Sequence, residues 1–315
     1  MSLTPAISIC IPAYKRTDFL KRLLDSIAIQ TFRDFEVIIT DDSNDNSVSE
    51  LCRQYQERFP LKYIKNANAL GTPENWNEAV RHAQGVWTKI MHDDDWFYNE
   101  HSLEKYMAAV RNNPEASFFF SAYQNVWVES GKTAFVYASQ YRLNKLQKTP
   151  VTLFSTNIIG PPSVTLYRHN TSYYFDSQLK WLVDIDFYIL FLQQNKAVYL
   201  REVLVNIGIS QEQVTKAVYK NRPVEIPESF SLFNKTGPGQ LRNVLIYDAW
   251  WRLLRKLAIT REAEIREAGY QGSMHPIILS MISWQRAIPR AILTTGIFSK
   301  MFMLIHYLLH SKKAN

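Results

Sequence analysis

Along the N-terminal third, short apolar runs alternate with stretches whose apolar residues recur every three or four positions. Residues 7–11 form an apolar run closed by Pro12, the pattern of a buried strand and its exit. Thr17 can cap a helix in which Leu20, Leu23, Leu24 and Ile27 share one face. Residues 35–40 make a second apolar run, ended by Asp41-Asp42-Ser43-Asn44-Asp45. The pattern then predicts a helix from about Ser47, a strand over 61–64, a helix over 74–84 and a strand over 86–91. His92 to Trp96 falls at the end of that last strand.

Strands and helices in this alternation specify a parallel sheet with right-handed crossovers. Such sheets bind ligands outside the carboxyl ends of their strands. Three polar clusters fall there: Pro12-Ala13-Tyr14, Asp41-Asp42 and Asp93-Asp94-Asp95. Their convergence on one rim follows from topology, not from closeness in sequence. The middle of the chain is less regular. Residues 116–128 are aromatic-rich and strand-like, 159–163 read as a loop, and 181–192 read as a helix opening in acidic residues. Helix patterns dominate from Pro223, which divides the chain into 1–220 and a helical region 221–315.

Composition narrows the class. Of 315 residues, 46% are hydrophobic and 13% aromatic, enough for a sizeable core and unlike a disordered or collagen-like chain. The two cysteines, Cys10 and Cys52, sit in a strand-like and a helix-like run, so a reducing cytosol is expected and a disulfide framework is not. The opening residues lead straight into a strand pattern with no leader, which also points to a cytoplasmic site of action.

The net charge of +7 is unevenly spread. No acidic residue follows Glu267, while Arg286, Arg290, Lys300, Lys312 and Lys313 do. The apolar runs of this tail are broken by Arg286, Pro289, Arg290 and Lys300 and fall short of the ~20 residues of a membrane span. Two readings of the tail stand side by side: an interfacial helix on an anionic membrane surface, or a helical subdomain packed on the core or a second subunit. Nucleic acid is not an expected partner, because no reading motif accompanies the charge.

Three adjacent aspartates after a buried strand repel one another, and a divalent cation relieves that conflict. Oxygen ligands suit Mg²⁺ or Mn²⁺, bound through one or two carboxylates plus substrate phosphates. The bland alternatives are that Asp93 or Asp95 caps the helix near Glu100, or that all three face solvent. Position at a strand end, beside two other polar clusters, favours a site.

Five blocks appear in order: Ile9-Cys10-Ile11-Pro12-Ala13-Tyr14, Gln30-Thr31-Phe32, residues 35–43, residues 68–77 with Asn75-Trp76-Asn77, and Met91-His92-Asp93-Asp94-Asp95-Trp96-Phe97. Together, over about residues 5–215, they resemble the family 2 glycosyltransferases with the GT-A fold, in the branch that builds bacterial surface polysaccharides. The resemblance implies an α/β fold with a mostly parallel sheet flanked by helices and a C-terminal helical extension. It makes 1–98 the nucleotide-sugar half and 99–220 the acceptor half. It assigns Asp42, with Asp41 beside it, to the donor's base and ribose; turn or cap chemistry is an open alternative for Asp41. Pro12, Ala13 and Tyr14 would line the nucleotide pocket, and Asn75, Asp93 and Asp94 would join the donor site. Asp94 and Asp95 inherit the metal role. His92 stands where the family's first aspartate usually stands, and both a ligand and a packing role are open to it.

Transfer from a nucleotide sugar needs a cation for the leaving diphosphate and a carboxylate to accept the proton of the attacking hydroxyl. A second acidic site downstream is therefore expected, and residues 181–188 supply Asp184 and Asp186. The family's Glu-Asp-X-Asp pattern maps its base onto Asp184, with Val183 in place of the glutamate and Asp186 as the fallback. Ordinary helix N-terminal carboxylates are the bland reading. Gly160-Pro161-Pro162-Ser163 resembles the acceptor-side loop, with a rigid turn as the alternative. Ser210 stands near a position where relatives carry a metal-completing histidine, and Gln213 and Thr215 are assigned to phosphates.

The expected function is inverting transfer from a UDP- or dTDP-sugar, with Mn²⁺ or Mg²⁺, to a saccharide acceptor, lipid-linked and met at the cytoplasmic face of a membrane. The alternative is a non-catalytic nucleotide-sugar or glycan-binding module, motivated by the altered positions His92, Val183 and Ser210. Retention of Asp94, Asp95 and Asp184 weighs against it.

Overall fold

The apolar N-terminal runs become neighbouring strands that end on a common polar rim. The computed structural model describes residues 4–210 and 220–313. Strands β1 (Ile7–Ala13), β2 (Phe35–Asp41), β3 (Leu61–Lys65) and β4 (Trp87–Ile90) lie in the order β3-β2-β1-β4, all parallel. Parallel neighbours need crossovers, and helices α1 (Thr17–Ala28), α2 (Ser47–Arg53) and α3 (Glu74–Arg81) provide them. Strand β1 is central, and its side chains are buried on both faces; hence Ile7, Ile9, Cys10 and Ile11 are apolar without alternation. The predicted face of α1, Leu20, Leu23, Leu24 and Ile27, is the face that is buried.

Register aligns the strand ends. Ala13 pairs with Asp41, and Asp41 pairs with Lys65. Ile90 pairs with Cys10, so the chain beyond it carries His92 and Asp93 toward the same rim.

The second half of the sheet is mixed. Strand β8 (Thr165–Arg168) is antiparallel to β4, and β6 (Phe118–Trp127) is antiparallel to β8. Strand β9 (Ala197–Ile209) runs parallel to β6, with register shifts between Ser121 and Tyr123. Strand β5 (Trp96–Phe97) is antiparallel to β9, and β7 (Thr133–Val136) pairs with β6. The parallel character expected from the sequence thus belongs to the first four strands and to the β6–β9 pair. Trp96 pairs with Asn206, and extending that register two residues sets Asp94 opposite Gly208. Helices α4 (Ser102–Asn112) and α5 (Gln140–Lys148) and most of α6 (Val183–Leu192) complete the layers, with Phe118 packing on Tyr188 and Phe191.

The chain forms two compact units. The first holds the sheet and comprises, among described residues, 4–148, 158–178 and 186–210. The second takes 149–157, 179–185 and 220–313, so two short segments from the middle of the chain join the C-terminal helices. Those helices are α7 (Arg222–Thr236), α8 (Val244–Lys256), α9 (Glu262–Glu267), α10 (Pro276–Ala287), α11 (Arg290–Thr294) and α12 (Gly296–His310). Their core is aromatic: Trp250 packs against Phe154, Phe230 and Phe233, and Phe230 stacks on Tyr270 with ring centres 4.1 Å apart. No described helix is long and apolar enough to cross a membrane.

In the first unit, buried Asn77 donates to the Phe175 carbonyl at 2.8 Å and accepts from the Phe175 amide at 2.9 Å. Asn77→Ala strands both backbone groups and is expected to cost roughly 2–4 kcal/mol. A fall in the urea midpoint, with the denaturant dependence unchanged, is the measurement.

Candidate active site

The strand ends first organise their own rim. Asp41 is wholly buried and accepts from the Ser43 amide at 2.8 Å, the Tyr63 hydroxyl at 2.7 Å and the Lys65 ammonium at 2.9 Å. Its carboxylate is thereby committed to joining β2 to β3 and shaping the turn after β2. Asp42 accepts from Asn66 Nδ2 at 2.7 Å and from the Leu70 and Gly71 amides at 3.0 and 2.8 Å, holding the loop after β3 against the rim. Asn75 donates to the Thr40 and Ala13 carbonyls at 3.2 and 3.4 Å and accepts from Asn66 at 2.9 Å. Its buried amide thus ties β1 to β2. Pro12 and Ala13 close β1, and Tyr14, 52% exposed, is the member of that turn that reaches solvent.

The turn continues into a second device. Lys15 takes a positive φ of 64°, unusual for a side-chain-bearing residue. Arg16 then meets Asp93 at 2.6 Å and Asp94 at 3.2 Å, while the Tyr14 amide donates to Asp93 at 3.5 Å. Arg22 lies over the Trp96 ring at 3.6 Å and donates to the Asp94 carbonyl at 3.4 Å. Asp95, 2% exposed, accepts from the Gly208 amide at 3.0 Å and from Ser163. Ser163 Oγ also accepts from the His92 amide at 2.9 Å. Ser163, read from sequence as part of an acceptor-side loop, is wholly buried under the carboxylate turn.

Burial dominates the electrostatics. It pushes the Asp93 carboxyl up to about 7, against the pull of Arg16. It drives Asp95 well above the usual range, helped by neighbouring Asp94. His92 is pushed below its usual value by the same cause, so its imidazole is neutral and keeps a lone pair. Wholly buried Lys89 is pushed down to about 7; its ammonium donates to the Ser163 carbonyl and, at 3.1 Å, to that of Thr165. Lys89 therefore supports the same Ser163 that steadies His92 and Asp95.

His92, Asp94 and Asp95 each offer one ligand atom, and these lie within 4.8 Å of one another. The His92 ring packs on Trp76 at 4.6 Å between centres, while its buried Nε2 has no hydrogen-bond partner. His92 Nδ1 lies 3.9 Å from Asp95, and one nitrogen with two carboxylates suits a divalent cation. Ligand and packing roles for His92 are thus compatible. Asp93, turned toward Arg16, stands outside this trio.

The expected base lies in the second unit. Asp184, in the first turn of α6, accepts from Asn157 Nδ2 at 2.9 Å and from the Ile185 amide at 2.9 Å. Burial pushes its carboxyl up to about 6. The turn entering α6 is capped from α7: buried Glu228 accepts from the Lys180, Trp181 and Leu182 amides at 2.7, 2.9 and 2.8 Å. Asp186 belongs to the first unit and is 2% exposed. Ser210 is buried with an unpartnered Oγ, and Gln213 and Thr215 lie outside the described residues.

The pattern of the family described as "Glycosyl transferase family 2" matches residues 8–170, more than half of the chain. The chain belongs to glycosyl transferase family 2. An uncharacterized glycosyltransferase of Haemophilus influenzae is 29% identical over 190 residues, 60% of this chain. The chain spans 62% of that relative's length. In fold, it resembles S. aureus TarS 1–349 in complex with UDP-GlcNAc, with TM-score 0.57 and 18% identity over 98% of this chain and 81% of that one. The Pyrobaculum calidifontis mannosyltransferase PcManGT, in complex with GDP-Man and Mn²⁺, gives TM-score 0.56 and 14% identity, covering 100% and 88%. These glycosyltransferases share the α/β architecture expected from the sequence.

In this family 2 member, three supports of the rim and one support of the Asp184 turn went unread in the sequence. Arg16 and Lys89 look like ordinary basic residues until burial is known. Glu228 gives no local signal at all. Gly208, between Ile207 and Ile209, carries one: an isolated glycine in a strand pattern marks close backbone approach. A Cβ there would collide with the Asp94 carbonyl oxygen. Gly208→Ala is therefore expected to lower Mn²⁺ affinity by about 10- to 100-fold, the range for displaced supports of metal ligands. Ser163→Ala acts in the same direction through His92 and Asp95. Isothermal titration with Mn²⁺, beside a thermal melt showing the fold intact, reads both.

Proposed function

We propose that this family 2 member transfers a sugar from a UDP- or dTDP-sugar, with inversion, to a saccharide acceptor in surface polysaccharide assembly. The acceptor proposed is lipid-linked and met at the cytoplasmic face of a membrane. The observation that carries the reading is the trio His92, Asp94 and Asp95, on the rim that Asp42 and Tyr14 also line. The TarS complex with UDP-GlcNAc supports a uridine donor, and the PcManGT complex with GDP-Man and Mn²⁺ supports a cation.

His92, Asp94 and Asp95 would hold Mn²⁺ or Mg²⁺, which supplies charge compensation for the departing nucleoside diphosphate. Arg16 keeps Asp93 paired and adds positive field at the same edge. Tyr14 offers an exposed aromatic face to the nucleotide, and Asp42 fixes the loop after β3 against the rim. Asp184 takes the proton of the acceptor hydroxyl as that oxygen attacks the anomeric carbon. One displacement opposite the leaving group inverts the configuration. The raised Asp184 pKa brings a carboxylate nearer the ideal for a base at neutral pH.

Asp184→Asn is expected to lower kcat by about 10²–10⁴-fold while donor affinity is kept. Because the base acts as the anion, wild-type kcat/KM should fall as pH drops through about 6, and the variant should lose that limb. EDTA should abolish turnover and Mn²⁺ restore it. A wild type that binds donor with Mn²⁺ yet never turns it over, across a panel of saccharide acceptors, leaves only the binding-module reading.

A further inference from the structure

Helix α12 shows two faces of opposite character. Its inner face is pinned within the second unit: Trp251 Nε1 donates to Ser299 Oγ at 3.1 Å, and His306 engages Tyr247 and Ser280. Ser299, Met303 and His306 are buried. Its outer face is apolar and open. Ile297 is 83% and Leu308 73% exposed, and Met301, Leu304, Ile305 and Leu309 are each exposed by more than two fifths. At 100° per residue these six fall in one stripe along the helix, and no polar side chain interrupts it. Exposed Lys300, three residues after Ile297 and four before Leu304, borders that stripe. A contiguous apolar surface of this kind marks an interaction site.

The charges select the partner. Exposed Arg286 and Arg290 precede the helix, Lys300 lies within it beside the apolar stripe and Lys312 follows it. No acidic residue occurs after Glu267, and none of these four cations pairs with a carboxylate among the described residues. A twofold contact through the stripe would bring Lys300, which borders it, toward its own copy with no carboxylate from this part of the chain to offset it. Anionic headgroups, by contrast, neutralise the cations while the acyl region receives the apolar stripe. The 15-residue helix is too short to span a bilayer. We infer that the outer face of α12 is a docking surface for an anionic lipid bilayer, on which the helix lies flat.

This inference concerns binding and is independent of the transferase reading. It is tested with the full chain by flotation on vesicles of phosphatidylglycerol and phosphatidylethanolamine, against vesicles of phosphatidylcholine. Wild type is expected to float with the anionic vesicles and to be depleted at least ~tenfold on the zwitterionic ones and in Leu304→Glu/Leu308→Glu. Both substituted positions face solvent, so the thermal melt should be unchanged. Lys300→Glu/Lys312→Glu, which leaves the apolar stripe whole, should weaken anionic binding alone and carries the test if the first variant misfolds. Failure of the wild type to float, or equal flotation of the variants, overturns the inference. So does a concentration-dependent dimer in light scattering that Leu304→Glu/Leu308→Glu dissolves while vesicles go unbound.

Discussion

Bringing Asp93, Asp94 and Asp95 out of water at the end of a sheet strand is the constraint around which the rim is built. An unpaired carboxylate in such surroundings costs several kcal/mol even after relaxation. The chain offsets part of this with fixed groups. Arg16 faces Asp93 and Asp94, the Gly208 amide and Ser163 serve Asp95, and Lys89 lies beneath. The compensation is incomplete, since Asp93 and Asp95 still hold their protons more tightly than free carboxyls do. The divalent cation proposed for His92, Asp94 and Asp95 would meet that deficit, and its affinity should rise as the Asp95 proton leaves.

The Asn75-Trp76-Asn77 block shows how one helical turn serves three purposes at once. Asn75 ties the ends of β1 and β2, Trp76 backs the His92 ring, and Asn77 clasps the Phe175 backbone. Each side chain points in its own direction, as successive helical positions do. Asn75, the member assigned from sequence to the donor site, also braces the strand ends of that rim. Asp41 and Asp42 follow the same logic: each buried carboxylate is held by three donors, Asp41 joining β2 to β3 and Asp42 fixing the loop after β3.

What could be read from sequence was what local pattern encodes. Apolar runs of strand length, the amphipathic spacing of Leu20 to Ile27 and the punctuation by polar clusters were enough for the first four strands and their shared rim. The acidic trio, too, was visible because its members adjoin in the chain. The rest depends on partners remote in sequence. Ser163 lies 68 residues from the Asp95 it supports by chain numbering, and Gly208 lies 113 from the same carboxylate. The mixed pairing of β6, β8 and β9 carries both there, and no periodicity in those segments announces it. Burial was equally hidden: Lys89 sits in an apolar run like any lysine at a strand edge, yet it is enclosed.

Glu228 has a consequence for modularity. Its carboxylate, carried by α7, satisfies the amides of Lys180, Trp181 and Leu182 just ahead of Asp184. A chimera that grafts a foreign C-terminal region after the sheet would inherit Asp184 but lose its anchor, leaving three backbone donors unanswered. Exchange of parts among relatives is therefore bounded not by where the sheet ends but by a side chain more than forty positions further on. The helical region and the turn that carries Asp184 must be traded, or must diverge, together.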